Sequence, residues 1–204
     1  MDSTEERDLP LPGPAGGLLR RLPARPSDVI GLARAHLVTV TRQVRIGRRV
    51  RILGTVRVRN SGGRIVLDDR VLIDGRHQAI AISAGPGARL RLGVGVFMNY
   101  GGDIACAGEI TIGAFTRIGP RVTIADHHGH DVDRNSRDVP RAVIIGDDVW
   151  LGRSAMILPG VTIGRGTVVA AGSIVTKSLP ECVVAVGAPA VPIREIDFPP
   201  GTHR

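Results

Sequence analysis

Residues 144–177, "IIGDDVWLGRSAMILPGVTIGRGTVVAAGSIVTK", decide how this chain folds. Ile145, Leu151, Ile157, Ile163, Val169 and Val175 recur at every sixth position, and glycine follows several of them, as in Ile145-Gly146, Leu151-Gly152 and Ile163-Gly164. A six-residue step fits neither the 3.6-residue turn of an α-helix nor a free strand alternating over dozens of residues. It fits a solenoid. If each hexapeptide makes one short flat strand and a turn, three of them close a triangular coil, and each aliphatic side chain stacks inward on its equivalent in the next coil. Gly, Asn or Asp near the corners would supply the tight backbone. One coil buries little by itself, so the core exists only where several coils stack.

The same step runs outward from this stretch. Ile112, Ile118 and Ile124 keep it, as do Leu92, Met98 and Ile104, Leu67 and Ile73, and Ile46, Ile52 and Val58. Where the phase slips, chain must leave the coil. Ile124 and Ile145 are 21 residues apart, not a multiple of six, which predicts an excursion at about 125–142. Smaller slips between Ile104 and Ile112, and over about 74–91, predict shorter protrusions. The reading is therefore a solenoid over residues 44–187, preceded by an arm at 1–43 and followed by a tail at 188–204. Ser27-Asp28 would cap a short helix reaching about Val38, with Val29, Ile30, Ala33 and Leu37 on one face.

Composition agrees with an all-β chain. Aromatic residues make up 2% and hydrophobic residues 43%, so Val, Ile, Leu and Ala must build the interior, and the 27 glycines serve turns. The net charge of +8 raises the question of nucleic acid, but the arginines are scattered and stacking partners for bases are nearly absent, which argues against it. An anionic small ligand stays compatible. Cys106 and Cys182 are far apart and show no zinc-ligand spacing, so they read as two reduced, packed thiols. No charged leader precedes a long apolar run and no stretch suits a bilayer span, so a cytoplasmic location is the expectation.

The order of elements over residues 144–196, with Trp-Leu-Gly, Pro-Gly-Val, Ala-Gly-Ser and Gly-Ala-Pro in sequence, resembles the hexapeptide-repeat acetyltransferases, especially the maltose, galactoside and xenobiotic O-acetyltransferase branch. The resemblance is specific over residues 92–196. It implies a left-handed parallel β-helix, a homotrimer, and acetyl-CoA held in a cleft between subunits as the co-substrate, with no metal. It also implies a histidine on the excursion acting as general base toward an acceptor hydroxyl.

The excursion opens with "TIADHHGHDVD", residues 123–133, which holds three of the six histidines. A neutral imidazole titrates near working pH and suits that proton transfer. Counting along the resemblance lands on Gly129, so the choice falls to its neighbours. His130, three residues before Asp133, is preferred; His128, three before Asp131, comes next; His127 would orient, and Asp126, Asp131 or Asp133 would fix the tautomer. Asn99 and Tyr100 match acceptor-side positions, as an amide that both donates and accepts suits a hydroxylated ligand, and Trp150 would line the cleft. Coenzyme A contacts carry over to the backbone at Arg153 and Ala171 and to Thr176, Lys177 and Arg194. Arg153 stands where relatives have a small residue, and Val191 where they have a second basic one. Other classes are an amino-sugar N-acetyltransferase, a zinc enzyme of the γ-carbonic-anhydrase kind, whose ligands come from separated coils, and a non-catalytic solenoid scaffold.

Overall fold

The computed structural model describes residues 44–130, 138–199 and 201–203. The predicted arm and helix, Asp131 and Asp133 lie outside the described residues. Among the described residues eighteen strands are present, and they group by coil. The first coil holds β1 (Val44–Ile46) and β2 (Arg51–Asn60), and the second β3 (Arg64–Leu67) and β4 (Leu72–Ala84). The third holds β5 (Arg89–Leu92), β6 (Phe97–Met98) and β7 (Asp103–Cys106), and the fourth β8 (Glu109–Ile112), β9 (Arg117–Ile118) and β10 (Thr123–Ala125). The fifth holds β11 (Val143–Ile145), β12 (Trp150–Leu151) and β13 (Met156–Ile157), and the sixth β14 (Thr162–Ile163), β15 (Val168–Val169) and β16 (Ile174–Val175). β17 (Val183–Gly187) begins another coil, and β18 (Ala190–Glu195) turns back antiparallel against it.

Pairing between coils is parallel, as a solenoid requires. Wall 1 is the six-stranded sheet β1-β3-β5-β8-β11-β14. Wall 2 stacks the first halves of β2 and β4 with β6, β9, β12, β15 and β17, and wall 3 stacks their second halves with β7, β10, β13 and β16. In register, Ile73, Met98, Ile118, Leu151 and Val169 form one inward column on wall 2, and Ile82, Ile104, Ile124, Ile157 and Val175 another on wall 3. Each is at most 2% exposed, so the six-residue series of the sequence is the core itself. Burying such a side chain stabilises the fold by about 1.5–3 kcal/mol.

The corners depart from the sequence expectation. Besides glycines, Arg49, Arg70, Phe115, Asp148 and Cys182 take positive φ at the corner joining walls 1 and 2, and Arg121 and Ser154 do so at the corner joining walls 2 and 3. That backbone costs a side-chain-bearing residue about 1–2 kcal/mol. Hydrogen bonds between coils fix it in place: Phe115 N donates to Val94 O at 2.8 Å, Asp148 N to Ala114 O at 2.8 Å, and Arg121 N to Tyr100 O at 2.9 Å. Position in the stack, not residue type, sets the conformation.

β4 carries three more residues than β6 and its following corner, because Ile73 pairs with Met98 while Ile82 pairs with Ile104, so Arg76-His77-Gln78 bulge at the corner joining walls 2 and 3. The longest departure leaves after β10 and returns at β11. The tail does more than end the chain. After β18, Phe198 packs under the Arg165 guanidinium, 5.0 Å from its ring centroid, and His203 stacks on Phe115 at 3.9 Å. Among the described residues no helix is long and apolar enough to cross a membrane.

Candidate functional site

Wall 3 ends at Ala125, and the next residue, Asp126, is 0% exposed. Its carboxylate is buried because the preceding coil offers two backbone donors there: Ala107 N–H reaches Oδ1 at 2.8 Å and Gly108 N–H reaches Oδ2 at 2.7 Å. The Cys106 thiol lies 3.6 Å from Oδ2, and burial, with the adjacent carboxylate, pushes that thiol up to about 12. Oδ1 also meets His127 Nδ1 at 2.9 Å. The His127 side chain is 24% exposed, so one edge of the ring is tied to a fixed carboxylate and the remainder faces outward. With Nδ1 donating, Nε2 is the free acceptor.

His128 and His130 are placed differently. Both are exposed, and among the described residues neither ring has a hydrogen-bond partner. The backbone N–H groups of His128 and Gly129 instead donate to Asp138, at 3.0 and 2.6 Å, which closes the neck of the excursion. Those donors hold the Asp138 carboxyl below its ordinary value. Among the described residues no three of His, Cys, Asp and Glu are gathered as metal ligands.

The acceptor-side candidates lie on another corner. Asn99 and Tyr100 follow β6, where walls 2 and 3 meet, and Asn99 Oδ1 accepts the Tyr100 N–H at 2.9 Å. Trp150, on the outer face of wall 2, is 49% exposed. Arg153 and Ala171 belong to successive coils of the same corner, because Gly172 N donates to Arg153 O at 2.8 Å. Thr176 and Lys177 follow β16, at the edge of wall 3 that also carries His127, and Arg194 lies on β18, paired with Val184. Apart from Trp150 on wall 2 and Arg194 on β18, the candidates form two groups on opposite edges of wall 3. A wall of about four residues at ~3.3 Å each separates them by on the order of 13 Å.

Two features escaped sequence reasoning. The first is the burial of Asp126, which depends on donors 18 and 19 residues earlier in the chain. The second is a polar cluster around Tyr100: His77 packs edge-on against its ring at 5.3 Å, and Arg153 donates to its hydroxyl at 3.1 Å. A groove of about 600 Å³ on the outer face of wall 1, lined by Arg45, Arg64, Arg89 and Arg91 among others, contains none of the candidate residues.

The family described as bacterial transferase hexapeptide (six repeats) matches residues 142–177. The chain is 39% identical over 114 residues to a galactoside O-acetyltransferase of Escherichia coli K12, covering 54% of this chain and 56% of that protein. It is 36% identical over 114 residues to a galactoside O-acetyltransferase of Lactococcus lactis, covering 54% and 55%. The chain spans about half the length of the curated relatives it matches. A hexapeptide-repeat acetyltransferase from Vibrio cholerae, solved with acetyl coenzyme A, superposes with a TM-score of 0.57 at 23% identity, covering 82% of this chain and 78% of that one. The chain is a hexapeptide-repeat, left-handed parallel β-helix that resembles the galactoside O-acetyltransferase branch.

Proposed function

We propose that this protein is an acetyl-CoA-dependent O-acetyltransferase that moves an acetyl group to a hydroxyl of a sugar or other small or glycan acceptor, with His127 as the general base. The observation that carries this reading is the contact between His127 Nδ1 and the buried Asp126 carboxylate. The carboxylate fixes the tautomer with the proton on Nδ1 and orients the ring, as the aspartate does in a Ser-His-Asp triad. Nε2 then takes the acceptor's proton as the hydroxyl oxygen attacks the thioester carbonyl. The tetrahedral intermediate collapses, the carbon–sulfur bond breaks, and the imidazolium returns the proton to the departing thiolate. No acyl-enzyme is required. This reading moves the base from His130 or His128, which lack a ring partner among the described residues, to the residue taken in the sequence as their helper.

The separation of the two groups of candidates supports assembly of each site from two copies. In a cytoplasmic homotrimer, the wall 3 edge that bears His127, Thr176 and Lys177 would face the corner of a neighbour that bears Asn99, Tyr100, Arg153 and Ala171, with Trp150 beside it on wall 2. Asn99 would hold the acceptor, and the backbone at Arg153 and Ala171, with Thr176, Lys177 and Arg194, would hold coenzyme A. Cations suit its phosphates. The two similar galactoside O-acetyltransferases and the V. cholerae structure with acetyl coenzyme A favour this chemistry over the zinc and scaffold readings.

The test is thiol release from acetyl-CoA against a panel of hydroxylated acceptors. His127→Ala lowers turnover by about a hundredfold or more, as for loss of a general base, whereas His128→Ala and His130→Ala retain most of it. Full activity in His127→Ala, with loss in either neighbour, would reassign the base.

A further inference from the structure

The side chains of two arginines near Asn99, Arg121 and Arg153, have no role in the chemistry just described. Arg121 and Arg153 sit on successive coils at the corner joining walls 2 and 3, and both side chains run back toward earlier coils. Arg121 Nε donates to Gln78 Oε1 at 3.2 Å, and Arg153 donates to the Tyr100 hydroxyl at 3.1 Å, with its guanidinium 5.8 Å from that ring centroid. Both partners are neutral. Among the described residues neither guanidinium meets a carboxylate. Arg76, on the same bulge, is by contrast neutralised by Asp74 at 2.6 Å.

The arrangement is built from both sides. The three-residue bulge of β4 brings Gln78 to the corner, and the positive φ of Arg121, 58°, aims its side chain across Gly101. A Cβ on Gly101 would stand 2.6 Å from Gln78 Oε1 and 3.1 Å from Arg121 Cγ, so a larger residue there would displace the two side chains from this arrangement. Each arginine spends one donor on a neutral anchor and keeps the others. A guanidinium with free N–H groups matches an oxyanion in fork geometry.

Resting on the acetyltransferase reading, we infer that Arg121 and Arg153 form an anion subsite for the acceptor, which carries a carboxylate, phosphate or sulfate beside the hydroxyl that is acetylated. The chemistry alone would also suit a phosphate of coenzyme A. Direction decides between them: the backbone column proposed for the cofactor continues from Arg153 to Ala171 on later coils, whereas both guanidinium groups reach toward earlier coils, to Tyr100 and Gln78, next to Asn99.

The experiment titrates the fluorescence of Trp150, the single tryptophan, with methyl β-D-glucuronide and methyl β-D-glucoside. The glucuronide binds at least about tenfold tighter at low salt, the margin narrows as salt screens the charges, and Arg121→Asn or Arg153→Gln removes it. Asparagine tolerates the backbone at position 121, and circular dichroism checks that both variants keep the fold. Equal affinity for the two glycosides, binding of neither, or a preference that survives both substitutions overturns the inference. A parallel titration compares coenzyme A with its 3′-dephospho form; if the substitutions erase that difference and leave the glycoside preference, the anion belongs to the cofactor and the acceptor assignment is overturned. Failure of the underlying reading looks different: no acceptor elicits thiol release, while the glucuronide preference persists.

Discussion

Asp126→Asn isolates the electrostatic part of the proposed base from its geometry. The carboxylate takes four donors on two oxygens: Ala107 N–H and His127 Nδ1–H on Oδ1, and Gly108 N–H and the Cys106 thiol on Oδ2. Asparagine supplies one oxygen and one NH2 group, so in either orientation an amide NH2 faces a buried donor or the imidazole. With its oxygen on the Gly108 N–H, the NH2 takes the place of Oδ1 opposite Nδ1 and makes that nitrogen an acceptor, which moves the ring proton to Nε2, where the acceptor's proton must go. The isosteric change in a Ser-His-Asp triad costs ~10⁴ in kcat by the same tautomer error. Here a fall of about 10²–10⁴ follows, measured as thiol release at saturating acetyl-CoA, with the acetyl-CoA KM within about twofold of the parent. The orphaned backbone donor destabilises the fold by about 1–3 kcal/mol, which at this chain length lowers Tm by very roughly 2–12 °C. A variant with lowered Tm but kcat within about threefold of the parent would refute the reasoning, because the carboxylate would then be structural only.

Other consequences concern the scaffold. Ile118→Ala removes a fully buried side chain from the middle of the wall 2 column and lowers stability by about 2–5 kcal/mol, read from denaturant midpoints; a loss under about 1 kcal/mol would mean the column does not carry the core. Asp138 has its carboxyl held low by the His128 and Gly129 amides. A depressed carboxyl stabilises the folded neck fully above its ordinary value, and that contribution disappears as pH falls through the lowered one. The protection factors of the amides at residues 128 and 129, taken relative to intrinsic exchange at each pH, are therefore high near neutrality and fall in acid; protection independent of pH would contradict the contact. The Cys106 thiol, pushed up to about 12, offers almost no thiolate at mildly alkaline pH. It resists iodoacetamide in the native protein and reacts once the protein is unfolded, and rapid native labelling would show that its pocket opens.

How far the sequence carried the structure depends on which contacts each feature needs. The inward columns were legible because a repeated coil writes one residue type at a fixed step, and the excursion after Ile124 because it breaks that step. The bulge in β4 was legible only as irregular spacing; that it delivers Gln78 to Arg121 depends on pairing with β6 and β7, which no local pattern encodes. The base was harder. His-x-x-Asp spacing pointed to His130 and His128, whereas the base we propose is His127, whose ring meets the adjacent Asp126, a carboxylate buried by donors one coil earlier. Arginine and phenylalanine in the left-handed region were invisible for a related reason: propensity favours glycine there, and the hydrogen bonds between coils override it. The antiparallel return of β18 and the stacking of His203 on Phe115 likewise follow from where the last coil ends.

The claim on which the proposed mechanism rests is that one copy's imidazole serves an acceptor held by another. Mixing two separately inactive variants, His127→Ala and Asn99→Ala, under conditions that exchange subunits tests it directly. If each site draws its base and its acceptor contact from different copies around a closed ring, random mixing restores about a quarter of parental activity. Activity that stays at the level of the unmixed variants, although subunits have exchanged, would contradict the shared site.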